Sequence, residues 1–218
     1  VKYLASICDM GMKLLKPNFY LSEDVASIAL QLLGKVLVCE SGGQITHSRI
    51  VETEAYRGPD DRACHAYNNR RTDRTEVMYA KGGCAYVYIS YGMHHLLNVV
   101  TAAEDMAHAV LIRAVQPLEG LEIMQNRRGI AANNYLLTGG PGKVCQALDI
   151  DKSWNKVQFH QTNSPLRIYE DGFNPGPIVE TPRVGMSVHV GRHSHWPWRF
   201  YLKNNPWVSR PLNVQYNW

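Results

Sequence analysis

The sequence predicts an α+β fold: a single mixed domain around a curved, mainly antiparallel β-sheet with a protruding β-hairpin. Three observations predict it. β-rich runs outnumber helical stretches along the chain, few helices fall between successive strands, and no repeat, low-complexity tract or Pro/Ser-rich linker divides the 218 residues. Residues 1–17 read as a loose leader and residues 18–218 as the domain.

The elements follow in order. Ser22 suits a helix N-cap, and Glu23 and Asp24 suit a first turn. Val25, Ile28, Ala29 and Leu32 then form an i, i+3, i+4, i+7 stripe that Gly34 ends. Lys35 to Cys39 reads as a buried strand, Ser41-Gly42-Gly43 as a turn and Thr46 to Tyr56 as the second strand of a hairpin. Residues 57–76 form a polar loop, with room for a short helix after Asp60-Asp61. Cys84 to Tyr91 and Met93 to Thr101 are β-rich runs joined tightly at Gly92, and Val110 to Val115 is a further strand. Leu118 to Arg128 reads as an amphipathic helix and Lys143 to Leu148 as a short one. Leu166 to Glu170, Arg183 to Val190 and Trp198 to Leu202 complete the strands.

Composition removes several classes. Apolar residues make up 45% and charged residues 19%, which fits a globular chain and neither a disordered nor a fibrous one. No run of about 18 apolar residues is present to span a bilayer. The five cysteines are scattered and form no CxxC pair, so reduced thiols and an intracellular place are expected: cytoplasm or nucleoid in a bacterium, nucleus in a eukaryote. The net charge is +4, unevenly placed. From Thr181 onward stand Arg183, Arg192, Arg199, Lys203 and Arg210, no acid, and four of the five tryptophans. Such a tail fits a polyanion-binding face; a strand region with solvated arginines would look the same.

Six stretches carry candidate chemistry. In an extended strand Ile50, Glu52, Glu54 and Tyr56 share one face; that face is either solvated or a carboxylate beside an aromatic wall, which is what a general base needs. Tyr86 and Tyr88 share a face, and Tyr91 sits at a hairpin tip beside Gly92. They form a cross-strand ladder, or Tyr91 is a wedge between stacked bases. Asn98 is a polar residue in an apolar run and needs a partner or a purpose. Arg113, in Val-Leu-Ile-Arg-Ala-Val, calls for a carboxylate or phosphate. His65 fits a structural role as readily as a functional one. Gly139-Gly-Pro-Gly-Lys143 departs from the triphosphate-binding loop, since Val144 stands where Ser or Thr would meet magnesium. Gly142 and Lys143 still suit a backbone phosphate, and a plain Pro-Gly turn explains them equally. His189, His193 and His195 have loosely metal-like spacing without a cysteine or acid nearby, and no metal is expected.

Taken together, several blocks resemble one family. They are Arg-Ile-Val-Glu-Thr-Glu-Ala-Tyr-x-Gly-Pro-x-Asp (49–61), Ala-Tyr-Val-Tyr-Ile-x-Tyr-Gly-Met (85–93), Leu-Ile-Arg-Ala-Val-Gln-Pro-Leu-Glu-Gly (111–120), Gly-Pro-Gly-Lys-Val-Cys-Gln-Ala-Leu (140–148), and Trp-Arg-Phe-Tyr-Leu (198–202) with Pro-Trp-Val-Ser (206–209). In this order they resemble the alkyladenine (3-methyladenine) DNA glycosylases, over roughly Phe19 to Ser209. The resemblance implies an enzyme that flips a damaged purine out of duplex DNA and hydrolyses its N-glycosidic bond. It implies Glu54 as the residue that activates water, and Tyr56, His65 and Tyr88 as walls around the base. It also implies Tyr91 as the residue entering the minor groove, Asn98 as a pocket floor that crowds the 2-amino group of guanine, and Arg113 as an arginine near the flipped nucleotide. His94-His95, residues 129–138 and residues 150–180 depart from the family pattern.

The physical reading agrees. Cleavage at C1′ passes through an oxocarbenium-like state, which a carboxylate both stabilises and serves with water, and the target is out of reach inside a stacked duplex. The expected partner is double-stranded DNA with damaged purines, bound by a monomer. Gly142, Lys143, Arg192 and Lys203 are the candidates for the DNA backbone. No lysine nucleophile stands in these blocks, and neither a metal nor an organic cofactor is implied. Two other classes fit less well: a non-catalytic reader of damaged or bent DNA, against which Glu54 argues, and a hydrolase of free nucleosides, which would leave Tyr91 no gap to fill.

Overall fold

The computed structural model describes residues 11–209. Its strands are β1 (Lys13–Leu14), β2 (Val36–Ser41), β3 (Gln44–Arg57), β4 (Ala85–Ser90), β5 (His94–Thr101), β6 (His108–Glu119), β7 (Leu166–Glu170), β8 (Ile178–Thr181) and β9 (Arg199–Leu202). Four α-helices accompany them: α1 (Val25–Leu32), α2 (Leu121–Arg128), α3 (Tyr135–Thr138) and α4 (Pro141–Leu148). The main path of the sheet runs β1-β7-β2-β3-β6-β5-β4, with β9 beside β3 and β8 beside β9. Every pairing between these strands is antiparallel. The α+β expectation holds.

Strand alternation divides the sheet into two faces. On one face Ala85, Val87, Leu97, Val99, Val110 and Ile112 join Ile28 and Leu32 of α1, Met124 of α2, Leu137 of α3 and Val144 and Leu148 of α4 in a single core. On the other, Tyr86, Val100 and Ala109 pack with Cys64, Val77 and Met78 from the segment between β3 and β4. Helices thus cover one face, and an irregular loop covers the other. That loop leaves the second face only partly filled, and the candidate site lies there.

β3 is the branch of the sheet. Its first half pairs with β2, and residues 52–54 pair with β9 while β6 runs along the other side. Register shifts between Ile50 and Glu52, and between Glu52 and Thr53, leave Val51 and Arg113 without a cross-strand partner. Such irregularities re-aim side chains. Here they turn Arg113 toward the carboxylates of Glu52 and Glu54.

Several local readings need correction. Asp24, not Ser22, caps α1: its side chain accepts from Ser27 N at 3.0 Å, while the Ser22 hydroxyl accepts from Asp24 N. Leu118 and Glu119 belong to β6, and the helix begins only at Leu121. Gly120 makes the turn between them, since a Cβ there would stand 2.9 Å from Thr46 Cγ2. Arg183 to Val190 is not a strand. Val184 N–H donates to Glu54 instead of to a ladder, Gly185 has φ +74°, and residues 188–195 form a 3₁₀ turn. The short helix looked for after Asp61 is replaced by 3₁₀ turns at Tyr67–Asn69 and Glu76–Tyr79. Lys13–Leu14, within the expected leader, pairs with β7.

Glu52 is the electrostatic knot of the core. Its Oε1 accepts from Arg113 Nε at 2.9 Å, Arg199 Nε at 2.6 Å and the Ser209 hydroxyl at 2.8 Å, and its Oε2 accepts from Ser209 N. Burial opposes ionisation of Glu52, but Arg113 and Arg199 outweigh it and hold the carboxyl below its usual range. Replacing Glu52 by Gln leaves two buried guanidiniums short of an anion, so we expect a loss of about 3–5 kcal/mol in urea unfolding. A native pKa below the unfolded one means that the stability due to Glu52 is complete above roughly pH 4.3 and declines as the pH falls further. An unchanged unfolding midpoint for Glu52→Gln would show that this cluster adds nothing to stability.

Candidate active site

Glu54, Leu111, Asn98 and Tyr86 face one another in a row across β3, β6, β5 and β4. Directly opposed residues share a face, so the row lies on the loop-covered side of the sheet. Tyr56 opposes Ala109 in the adjoining row. A cavity of about 240 Å³ opens above these rows, lined by Tyr56, His65, Tyr86, Tyr88, Asn98 and Gly185 among others. The structure therefore gathers Tyr56, His65, Tyr88 and Asn98 from four sequence regions.

Glu54 is fully buried behind Tyr56. Its Oε1 accepts from Val184 N at 2.7 Å and its Oε2 from the Tyr56 hydroxyl at 2.7 Å, with Arg113 Nη1 3.3 Å from Oε2. A carboxylate has about four lone-pair positions; these neighbours take three and leave room for one more donor. Arg113 keeps its charge: burial opposes it, but Glu54 and Glu52 raise its pKa above the ordinary arginine value. Its guanidinium faces both carboxyl groups. Burial, with the Glu54 carboxylate next in weight, pushes the Tyr56 hydroxyl well above its normal range, so Tyr56 acts as a donor and an aromatic wall.

A pair invisible in the sequence supports that wall. Asp61 and Arg183, 122 residues apart, form a two-pronged buried ion pair, and Arg183 lies over the Tyr56 ring at 4.8 Å and over Trp198 at 5.5 Å. Arg183 also donates to Ala55 O and His193 O. Arg183 and Arg199, read in the sequence as part of a polyanion-binding tail, are thus spent inside the protein. Arg192 and Lys203 are exposed, and Arg210 lies outside the described residues. His193 accepts from Arg62 N through Nδ1 and stacks on Trp196 at 4.3 Å.

The opposite wall is His65 and Tyr88, edge to face with ring centroids 4.6 Å apart. His65 Nδ1 lies 3.0 Å from the Tyr86 hydroxyl and Nε2 lies 3.2 Å from Arg74 Nη2. A guanidinium only donates, so Nε2 accepts and Nδ1 carries the proton. Arg74 also lies over the Tyr88 ring at 5.1 Å. Neither Tyr86 nor Arg74 was singled out from the sequence as a pocket residue; the alternation of Tyr86 with Tyr88 was the one available sign. Asn98 donates to Tyr86 O at 3.0 Å and Leu96 O at 3.3 Å. Both amide hydrogens are used, so Asn98 offers the cavity an acceptor.

Tyr91 stands apart from the cavity, at the end of the β4–β5 hairpin, 88% exposed, with Met93 and Ile89 also exposed beside it. Tyr91 and Gly92 both take left-handed φ values, 50° and 70°, in a turn closed by Met93 N–H to Ser90 O. A bulky residue at positive φ is uncommon, and this one lifts an aromatic ring into solvent. Next to the tip, at the first residue of β5, α4 comes so close that a Cβ on Gly142 would lie 3.2 Å from His94. Lys143 lies 5.7 Å from the Tyr135 ring on the same helix end.

Comparison with known proteins decides the family. The Methylpurine-DNA glycosylase family matches residues 18–206. The chain belongs to that family. It is 50% identical over 190 residues to a Chlamydia pneumoniae protein provisionally named 3-methyladenine DNA glycosylase, covering 87% of this chain and 95% of that one. Proteins of the same name in Desulfitobacterium hafniense and Clostridium acetobutylicum are 46% and 43% identical over 205 and 206 residues, each covering 91% of this chain. Membership makes the chain a DNA glycosylase of base-excision repair acting on alkylated bases. Among the described residues, no helix is long and apolar enough to cross a membrane.

Burial first, then Arg74 and Arg70, lowers the His65 pKa from 6.5 to about 4. Nitrogen NMR should therefore find His65 neutral, with its proton on Nδ1, at pH 5.5 and above. The unfolded chain binds more protons than the folded one between pH 6.5 and 4. The stability due to the neutral ring is thus complete above pH 6.5 and falls across that window. Arg74→Gln should raise the ring's pKa, and a titration identical to wild type would disprove the Arg74 contact.

Proposed function

We propose that this glycosylase removes alkylated or deaminated purines, of the 3-methyladenine, hypoxanthine and ethenoadenine type, from duplex DNA with an activated water. The observation that carries the reading is the buried Glu54 carboxyl, paired with Arg113 and joined through the Tyr56 hydroxyl to a cavity walled by Tyr56, His65 and Tyr88.

The damaged base enters that cavity between Tyr56 on one side and His65 with Tyr88 on the other. Stacking on such rings is worth about 1–3 kcal/mol per base, which offsets most of the cost of unstacking. Glu54 accepts the proton of a water through its remaining lone pair. The oxygen of that water bonds to C1′ as the C1′–N bond breaks, and the base leaves with the bonding electrons. The same carboxylate stabilises the positive charge that develops on the sugar. The products are the free base and an abasic site. Among the described residues lining the cavity none is a lysine, so no Schiff base forms and the strand stays intact: a monofunctional enzyme. Asn98 crowds the 2-amino group of guanine and so rejects it. Tyr91 fills the gap left in the duplex, and Gly142, Lys143, Arg192 and Lys203 contact the DNA backbone.

The direct test incubates the protein with duplexes carrying hypoxanthine, ethenoadenine, 3-methyladenine or plain guanine and then cleaves abasic sites with alkali. Wild type should act on the first three and spare guanine, with no cleavage before alkali. Glu54→Gln, which keeps the shape but accepts no proton, should lose roughly a hundredfold or more in release rate while still binding lesion DNA. Near-normal release by that variant would remove Glu54 from the mechanism. Tyr91→Ala should weaken lesion binding and leave ethenoadenine less unstacked in fluorescence, because nothing then opposes return of the base to the stack. Full unstacking by Tyr91→Ala would refute its role as a wedge.

A further inference from the structure

Most arginines of the described residues are spoken for. Arg49, Arg57, Arg71, Arg113, Arg167, Arg183 and Arg199 face carboxylates. Arg127 and Arg128 donate to backbone carbonyls. Arg62, Arg70, Arg74 and Arg192 remain, all exposed and without a carboxylate partner, and they are not scattered. Arg62 lines the base cavity itself. It also lines a cleft of about 350 Å³ with Arg70 and Arg74, and an open groove of about 990 Å³ with Arg192. The one carboxylate lining either groove is Asp60, already held by Arg57.

The cleft is built rather than loose. The Thr75 hydroxyl donates to Arg70 O at 2.9 Å, Thr72 N donates to that hydroxyl, and Thr75 N and Glu76 N return to Thr72 O. The turn therefore holds Arg70 and Arg74 on either side of a fixed bend. Arg74 is committed at its inner end to His65 and to the Tyr88 ring, and Arg62 lies over the Tyr67 ring at 5.9 Å; neither they nor Arg70 form an ion pair with a carboxylate of the described residues. Unpaired guanidiniums at a cavity mouth, with no acid to answer them, suit a bound polyanion.

We propose that Arg62, Arg70 and Arg192 bind phosphates of the lesion-bearing strand on both sides of the flipped nucleotide, with Arg62 nearest the cavity mouth. Arg74 then joins this phosphate track to the base-binding wall. The proposal rests on the DNA reading of the adjoining cavity, and it extends the backbone contact from Arg192 of the C-terminal tail to Arg62 and Arg70 in the loop between β3 and β4. Arg71, in the same basic run, takes no part, because Glu76 and Asp105 hold it at 2.7 Å each.

The test is the salt dependence of binding, measured by anisotropy with a labelled undamaged duplex and the same duplex carrying ethenoadenine. Arg62→Gln, Arg70→Gln and Arg192→Gln should each reduce the slope of log affinity against log salt by about one, and weaken both duplexes alike by roughly tenfold near 0.1 M salt. Arg70→Lys should restore the slope, because a phosphate accepts a point charge. Lys13→Gln, an exposed cation on the opposite edge of the sheet, should leave it unchanged. Slopes equal to wild type in all three Gln variants would overturn the proposal while leaving the glycosylase reading intact, provided that wild type still binds and releases the base. Weakening confined to the lesion duplex would overturn it too, since that would mean a contact with the base and not with phosphate. Failure of wild type to bind either duplex would overturn both.

Discussion

Arg113 lies between two carboxylates that have no water to shield them. Glu52 and Glu54 are both fully buried, and with Arg113 and Arg199 they make a neutral set of two acids and two guanidiniums. A buried charge deprived of its partner costs about 3–5 kcal/mol, against a total stability of about 5–15 kcal/mol for an ordinary domain. The set therefore stands or falls as a unit. It also divides the labour between the acids. Glu52 has its lone pairs filled by Arg113, Arg199 and Ser209 and serves the fold. Glu54, two residues on, is held less completely, by Val184 N, the Tyr56 hydroxyl and Arg113.

The walls of the cavity depend on the same economy of charge. Tyr56 is fixed by its bond to Glu54 on one side and by the Arg183–Asp61 pair behind it. His65 is fixed by Tyr86 and Arg74. Both walls are thus fixed by contacts within the protein, which lowers the ordering cost of any ligand that stacks on them. The cavity floor is equally fixed, because Asn98 spends both amide hydrogens on the backbone of its own hairpin.

How much of this the sequence disclosed follows from distance along the chain. The β3 alternation put Ile50, Glu52, Glu54 and Tyr56 on one face; Arg113 does bridge the two acids, but the register shifts around Glu52 leave Ile50 in the helix-covered core. The Tyr91-Gly92 pair marked the hairpin tip because two left-handed residues are a local property. The Asp61–Arg183 pair joins segments 122 residues apart, and no local pattern announces it. The same is true of Val184, whose backbone N–H reaches Glu54: a stretch that reads as a strand gives up its ladder to do so. Composition misled for a related reason. A cluster of arginines in sequence is not a cluster in space, and burial took Arg183 and Arg199 out of the tail while Arg62 and Arg70, from another region, line the clefts beside the site.

The cross-sheet row of Glu54, Leu111, Asn98 and Tyr86 sets a rule for how this protein can change its length. Strand faces alternate residue by residue, so a one-residue slip of β5 would present Leu97 or Val99 to the cavity and turn the Asn98 amide into the apolar, helix-covered core. Insertions and deletions inside β3 to β6 therefore dismantle the cavity even when every named side chain is kept. The segment between β3 and β4, which carries His65, Arg70 and Arg74, is under no such parity. Its length and sequence can drift as long as His65 still reaches the Tyr86 hydroxyl. Variation can then accumulate in that loop without disturbing the strand rows beneath it.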